Sequence, residues 1–279
     1  MSGAGSDRRR LILHCDDLGL AHCVNEAAFE AFETGCLTSA SVMPTCPRFP
    51  EVARYGRSHP DFDLGVHLTL TSEWTRYRWK PAAPPERVPS LVDADGCLWP
   101  DADAVIRHAR LEEVRIELTS QIEAVLAAGV VPTHLDSHML VLLRHPRLFS
   151  IYAGLGARFS LPILVPIRSR TEPWALHRDR RAMPVDRYFA ATTSWRPERW
   201  LDHYVECAAQ FVPGVNQIAL HLARHDDEML AIQAGHETEG WTAAWRQRDF
   251  DAIRSETFST AIGRANAALT TWREVARQE

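Results

Sequence analysis

A single-domain (β/α) barrel is the fold this sequence predicts, and three observations carry it. Short apolar runs alternate with segments of helical periodicity across short connections, which favours a parallel sheet covered by helices. The length of 279 residues suits one domain of this class, which commonly runs to about 250 residues. Acidic and imidazole side chains recur near the C-terminal ends of the apolar runs, the face on which barrels assemble their sites.

The elements follow in order. A polar tail spans 1–10, expected to be disordered, and the folded domain spans 11–279. Residues 11–16 predict a strand, 24–34 an amphipathic helix ended by Gly35, 39–45 a second strand, 49–58 a helix and 63–70 a third strand. From about 72 to 103 the pattern lapses into Trp, Pro, Arg and Tyr, an insertion on the same side as His67. Residues 104–128 then predict one long helix closed by Gly129, with Glu112, Glu113 and Glu117 on its wet face. Strands at 132–139 and 163–168 flank a helix at 146–159, and 169–187 is charged and irregular. A helix at 195–211, a strand at 215–223, a helix at 243–255, a further helix from about Thr257 and a short strand near Leu269 complete the chain.

Composition narrows the function. A 46% hydrophobic fraction with 24% charged residues describes an ordinary globular protein, and a net charge of −5 lacks the basic face that nucleic acid requires. Only three apolar residues separate Arg8-Arg9-Arg10 from His14, too few for a signal peptide, and no run approaches a membrane span, so a cytoplasmic location is expected. The six cysteines include no CxxC pair, so neither a disulfide framework nor a thiolate zinc site is indicated, and Cys15 is read as a small buried strand residue.

The chemistry concentrates in four segments. Asp16 and Asp17 close the first apolar run, His67 lies in Gly65-Val66-His67-Leu68, His138 ends His134-Leu135-Asp136-Ser137-His138, and His221 ends Ile218-Ala219-Leu220. One carboxylate with two imidazoles holds a divalent metal while leaving positions open for water and substrate, which makes Asp17, His67 and His138 the natural triad. Asp16 is then the candidate base, taking a proton from the metal-activated water as it attacks a carbonyl, and His221 the candidate acid for the leaving amine. Asp136 is placed behind the metal ligands, orienting a histidine. His14 and His134 read as satisfied core residues, and His59, His108, His145, His177, His203, His225 and His236 as surface ones.

These segments resemble the YdjC family of ChbG/HpnK-like carbohydrate deacetylases. The resemblance rests on Cys15-Asp16-Asp17-Leu18-Gly19-Leu20, Asn25, Gly35-Cys36-Leu37-Thr38-Ser39-Ala40-Ser41, Gly65-Val66-His67-Leu68-Thr69-Leu70-Thr71 and Pro132-Thr133-His134-Leu135-Asp136-Ser137-His138. It implies a distorted TIM-like barrel, one divalent metal ion (Mg²⁺ or Zn²⁺) on Asp17, His67 and His138, Asp16 as base, and removal of N-acetyl groups from amino sugars. The chain departs from the family pattern at Met139-Leu140-Val141-Leu142, where further histidines are usual, and at His221-Leu222, where His-Pro is usual. The first departure implies a changed substrate rim, and the second bears on His221 as proton donor. Trp74 in the insertion, whose ring suits a sugar face, and Arg168, closing a strand, are the expected substrate-binding residues.

The expected partners are thus an N-acetylated sugar, no nucleic acid and no membrane, with a homodimer as an admissible assembly. Two other functions share these features: a metal-dependent hydrolase of another ester or amide, and a carbohydrate-binding protein that has lost turnover.

Overall fold

The computed structural model of the chain describes residues 8–166, 182–236 and 240–277. Its strands are β1 (Arg9–Leu18), β2 (Ser39–Val42), β3 (Leu64–Leu68), β4 (Leu135–Ser137), β5 (Ile163–Pro166), β6 (Ala182–Val185), β7 (Arg187–Ala190), β8 (Gly214–Leu220) and β9 (Ala267–Leu269). The helices are α1 (His22–Glu33), α2 (Phe49–Ser58), α3 (Ala102–His108), α4 (Leu111–Ala127), α5 (Pro146–Phe159), α6 (Trp200–Ala208), α7 (Asp227–Ile232), α8 (Ala243–Ile253), α9 (Glu256–Arg264) and α10 (Trp272–Ala276).

All strand pairs are parallel, in the order β6-β5-β4-β3-β2-β1-β8-β7, with β9 beside β1. β6 and β7 are two halves of one segment bent at Asp186. The first half pairs with β5 and the second with β8, so this bent segment brings the ring close to closure. Asp186 fastens the bend to β8, its backbone N–H donating to the Val215 carbonyl at 2.8 Å and its Oδ2 accepting from the Val215 N–H at 2.8 Å. The fold is therefore a single-domain, distorted TIM-like α/β barrel. Leu11, Ile12 and Leu13 are buried in succession, as expected of a strand covered on both faces. Among the described residues no helix is long and apolar enough to cross a membrane.

Two local outcomes differ from the sequence reading, and a third lies in a stretch to which it assigned no element. Residues 104–128 form two helices, because Ala109 is extended (ψ 128°) and the Arg110 N–H is taken by the Ser90 hydroxyl of the insertion at 2.9 Å. Glu113 and Glu117 of α4 are buried against the insertion: Glu117 accepts the N–H groups of Ala82 and Ala83 at 2.9 and 2.8 Å, and Glu113 that of Ser90 at 2.6 Å. The charged stretch 226–232 begins with Asp226 as an N-cap, its Oδ1 accepting from the Met229 N–H at 2.9 Å, and forms α7. The strand expected at 163–168 is described only to Pro166. Arg168 and His177 lie outside the described residues.

Candidate metal and catalytic site

β3 and β4 are paired, β1 lies one strand further along across β2, and the residues at the C-terminal ends of these strands meet in one cavity. β1 is the strand that breaks its regular path to do so. Its register shifts between Cys15 and Leu18, and Asp17 takes φ 67°. In a regular strand Asp16 and Asp17 would face opposite sides of the sheet. The bulge turns both toward one cavity, which they line. A left-handed pair, Met139 and Leu140 (φ 51° and 53°), follows His138, just beyond the end of β4 at Ser137. Left-handed backbone is costly for such residues and marks both loops as over-determined by their surroundings.

Three atoms meet at this convergence. Asp17 Oδ1 lies 3.4 Å from His67 Nε2 and 3.2 Å from His138 Nδ1, and the two nitrogens are 3.3 Å apart. Each imidazole is held from behind by a carboxylate. His67 Nδ1–H donates to Asp136 Oδ1 at 2.8 Å, and His138 Nε2–H to Glu73 Oε2 at 3.0 Å, so that His67 Nε2 and His138 Nδ1 face Asp17 and, on losing their protons to an incoming cation, present lone pairs to it. Asp17 Oδ1 is buried with no hydrogen-bond partner, while Oδ2 accepts from Arg246 Nη2 at 2.8 Å. An orphaned carboxylate oxygen facing two oriented imidazoles is a donor set that fits one divalent cation, and this group could hold a metal ion.

Asp16 stands beside the cluster. Its Oδ1 is 3.2 Å from His14 Nε2 and its Oδ2 3.9 Å from His221 Nε2. His14, read from sequence as a core residue, is indeed buried, and it is also a hub: Nδ1 meets Ser39 Oγ at 3.0 Å, and Nε2 meets Ser41 Oγ at 3.1 Å and Asp136 Oδ2 at 3.0 Å. Ser41 Oγ–H donates to the same Asp136 oxygen at 2.7 Å. Burial opposes charge at His14, Asp17 and His221, and local pairing overcomes it at the first two only. His14 is pushed up to about 9, because Asp136 and Asp16 outweigh its desolvation. Asp17 is held well below the carboxylate range, because Arg246, His138 and His67 outweigh its own. At His221 burial wins over the Asp17 and Asp16 carboxylates and pushes the imidazole down to about 4.

The cavity has a volume of about 270 Å³. Asp16, Asp17, His67, His138 and His221 all line it, and so does Trp74, a buried residue whose ring centroid lies 4.8 Å from that of His236. Asp136 stays behind His67, bonded to its Nδ1. Sequence reasoning missed Glu73, Arg246, Trp241 and His236, which line the same cavity. His236 was taken for a surface residue, yet it is buried. Only Glu73 carried a signal, since it lies shortly after β3 on the insertion; Arg246 reaches Asp17 across 229 positions of sequence.

Fold and site together define a parallel α/β barrel with a buried carboxylate–imidazole cluster at the C-terminal ends of its strands. The family model described as YdjC-like protein matches residues 10–264, and the chain belongs to this family. Among curated relatives it is similar to the carbohydrate deacetylase of Geobacillus stearothermophilus, 35% identical over 161 residues, covering 58% of this chain and 61% of the relative. It is also similar to the carbohydrate deacetylase of Enterococcus faecalis, 36% identical over 162 residues, covering 58% and 60%. The matched stretch thus spans less than two thirds of either relative. Over nearly the full length, the structure is similar to a cellobiose-phosphate cleavage protein from Enterococcus faecalis, with a TM-score of 0.81, 27% identity, and 96% and 99% of the two chains covered.

Proposed function

We propose that this chain is a metal-dependent hydrolase that removes an N-acetyl group from an amino sugar or short oligosaccharide. The observation that carries the reading is the meeting of Asp17 Oδ1, His67 Nε2 and His138 Nδ1 within 3.4 Å beside a second carboxylate, Asp16, that the cluster does not use. The carbohydrate deacetylases among its relatives supply the substrate class.

Asp17, His67 and His138 would hold the ion, Mg²⁺ or Zn²⁺, and two imidazole donors favour the latter. When bound, such an ion supplies Lewis acidity to the amide carbonyl and lowers the pKa of the attacking water. Asp136 and Glu73 keep the two imidazoles turned toward it. Asp16 accepts the proton of the water as its oxygen bonds to the carbonyl carbon. His14 holds that carboxylate in place. The amide nitrogen must gain a proton as the C–N bond breaks, and His221 is the group that delivers it. His221 rests as a neutral imidazole, so the proton it passes on is the one Asp16 takes from the water, relayed through one bridging water because Asp16 Oδ2 stands 3.9 Å away. Trp74 forms part of the apolar wall against which a sugar face can pack. Arg168 is retained as a substrate-binding residue on the sequence reading alone.

Acetate release from N-acetylglucosamine oligomers, measured on metal-stripped protein and after adding Mg²⁺ or Zn²⁺, tests this. Release is expected only with the ion present. Absence of release from any acetylated sugar at any metal loading would sink the proposal.

A further inference from the structure

Among the described residues, three buried polar atoms on cavity-lining residues lack partners: Asp17 Oδ1, Arg246 Nη1 and Trp241 Nε1. The first is an acceptor and is accounted for by a cation. The other two are donors, and a cation cannot satisfy them.

Arg246 is only 1% exposed. Its Nη2 donates to Asp17 Oδ2 at 2.8 Å and its Nε to the Trp241 carbonyl at 2.9 Å. Those two bonds fix the guanidinium plane and discharge its structural duty. Nη1 shares its carbon with Nη2, so it is held beside Asp17, one carboxylate away from the candidate metal site. Trp241 has a left-handed backbone (φ 62°) just ahead of α8, and its ring centroid lies 5.8 Å from that of His221. Both donors therefore belong to the end of the cavity where Asp17 and His221 stand. Leaving a buried donor unsatisfied is costly, and more so when it is charged. Neither group can accept a hydrogen bond, so whatever satisfies them must present an acceptor oxygen, and the guanidinium favours one carrying negative charge.

We propose that Arg246 Nη1 and Trp241 Nε1 bind the acyl oxygen of the substrate and, after hydrolysis, the carboxylate of the released acetate. The inference rests on the deacetylase reading above and names the part of the cavity that takes the acyl group. The acyl oxygen gains negative charge as water adds to the carbonyl carbon, so the two donors hold it more strongly at that stage than in the bound amide. Hydrolysis then leaves a carboxylate in the same place, which makes acetate a ligand of the site.

Isothermal titration of acetate into Zn²⁺-loaded protein tests this without turnover. Trp241→Phe keeps the ring and removes the N–H, and Arg246→Lys keeps the charge beside Asp17 and removes the fork. Each is expected to weaken acetate binding about tenfold, the loss of one hydrogen bond to a charged group. Trp241→Phe should bind Zn²⁺ as the wild type does. Wild-type acetate affinity in both variants, no acetate binding by the wild-type protein, or a loss of acetate affinity that merely tracks a loss of Zn²⁺ overturns the proposal. If acetate binds through these residues but no N-acetylated sugar releases acetate, the deacetylase reading fails and the acceptor-oxygen pocket stands. Should Trp241→Phe not fold, Arg246→Lys carries the test alone.

Discussion

Asp16 and Asp17 are neighbours whose proposed tasks are separated by one backbone torsion. The φ of 67° at Asp17 puts its Oδ1 among the two imidazoles, while Asp16 is left between His14 and His221. Substituting each group should therefore give distinct phenotypes. Asp16→Asn is expected to bind Zn²⁺ with wild-type affinity and to lose turnover by about 10²–10⁴, the usual weight of a general base. His67→Ala should lose the metal itself. Titration calorimetry with Zn²⁺ beside acetate release separates the two, and an Asp16→Asn variant at wild-type rates would refute the division of labour. Asp136 touches His67, His14 and Ser41 but not the cavity, so Asp136→Asn should weaken Zn²⁺ about 10–100-fold without abolishing binding.

At the scale of elements, the insertion is tied to the barrel by α4. Glu117 accepts two successive backbone N–H groups and the side chain of Gln121, whose Nε2 also donates to the Thr69 carbonyl just after β3. Glu117→Ala strands the buried N–H of Ala83 and the part-buried N–H of Ala82. A loss of about 2–4 kcal/mol in urea unfolding is expected, with faster hydrogen exchange at Ala82 and Ala83; unchanged exchange there would show that Glu117 does not anchor the insertion. β3 carries a different constraint. A Cβ on Gly65 would clash with the buried ring of His134, which is stacked on Trp272 with centroids 5.0 Å apart. Gly65→Ala should therefore destabilise the fold by roughly 1–3 kcal/mol, read as a lowered Tm, through overpacking. An unchanged Tm would mean that the ring moves aside freely.

Across the whole molecule, Asp249 joins three elements. Its Oδ1 accepts from Trp200 Nε1 and Tyr204 Oη on α6, at 2.8 and 2.7 Å, and its Oδ2 accepts from the His221 N–H just beyond β8, at 3.1 Å. Burial, only partly offset by these bonds and by Arg246, raises its carboxyl from 3.8 to about 6. The folded protein thus holds this proton more tightly than the unfolded chain. Its contribution to stability is complete below pH 3.8 and is lost as pH rises through about 6, an amount on the order of 3 kcal/mol. A Tm-versus-pH profile should show that decline in the wild type and a flatter course between pH 4 and 6 in Asp249→Asn. Parallel profiles would contradict it.

Much of this molecule was legible because its signals are local. The runs around Leu11, Val66 and Ile218 announced buried parallel strands, and residues at their C-terminal ends had to share one face of a barrel. That reasoning singled out Asp16, Asp17, His67, His138 and His221, which line one cavity. Glu113 and Glu117 were misplaced because helical periodicity cannot tell water from an insertion folded over the helix. Arg246 and Asp249 left no trace, since each acts through partners far away in sequence. The sequence by itself determined the parallel α/β architecture and the set of side chains able to bind a cation, because strand burial and residue chemistry are written locally. The tertiary structure alone decided how the Asp17 carboxylate is turned to the imidazoles, which guanidinium neutralises it and which donors at the cavity are left unpartnered. Those depend on a backbone torsion and on contacts between distant segments.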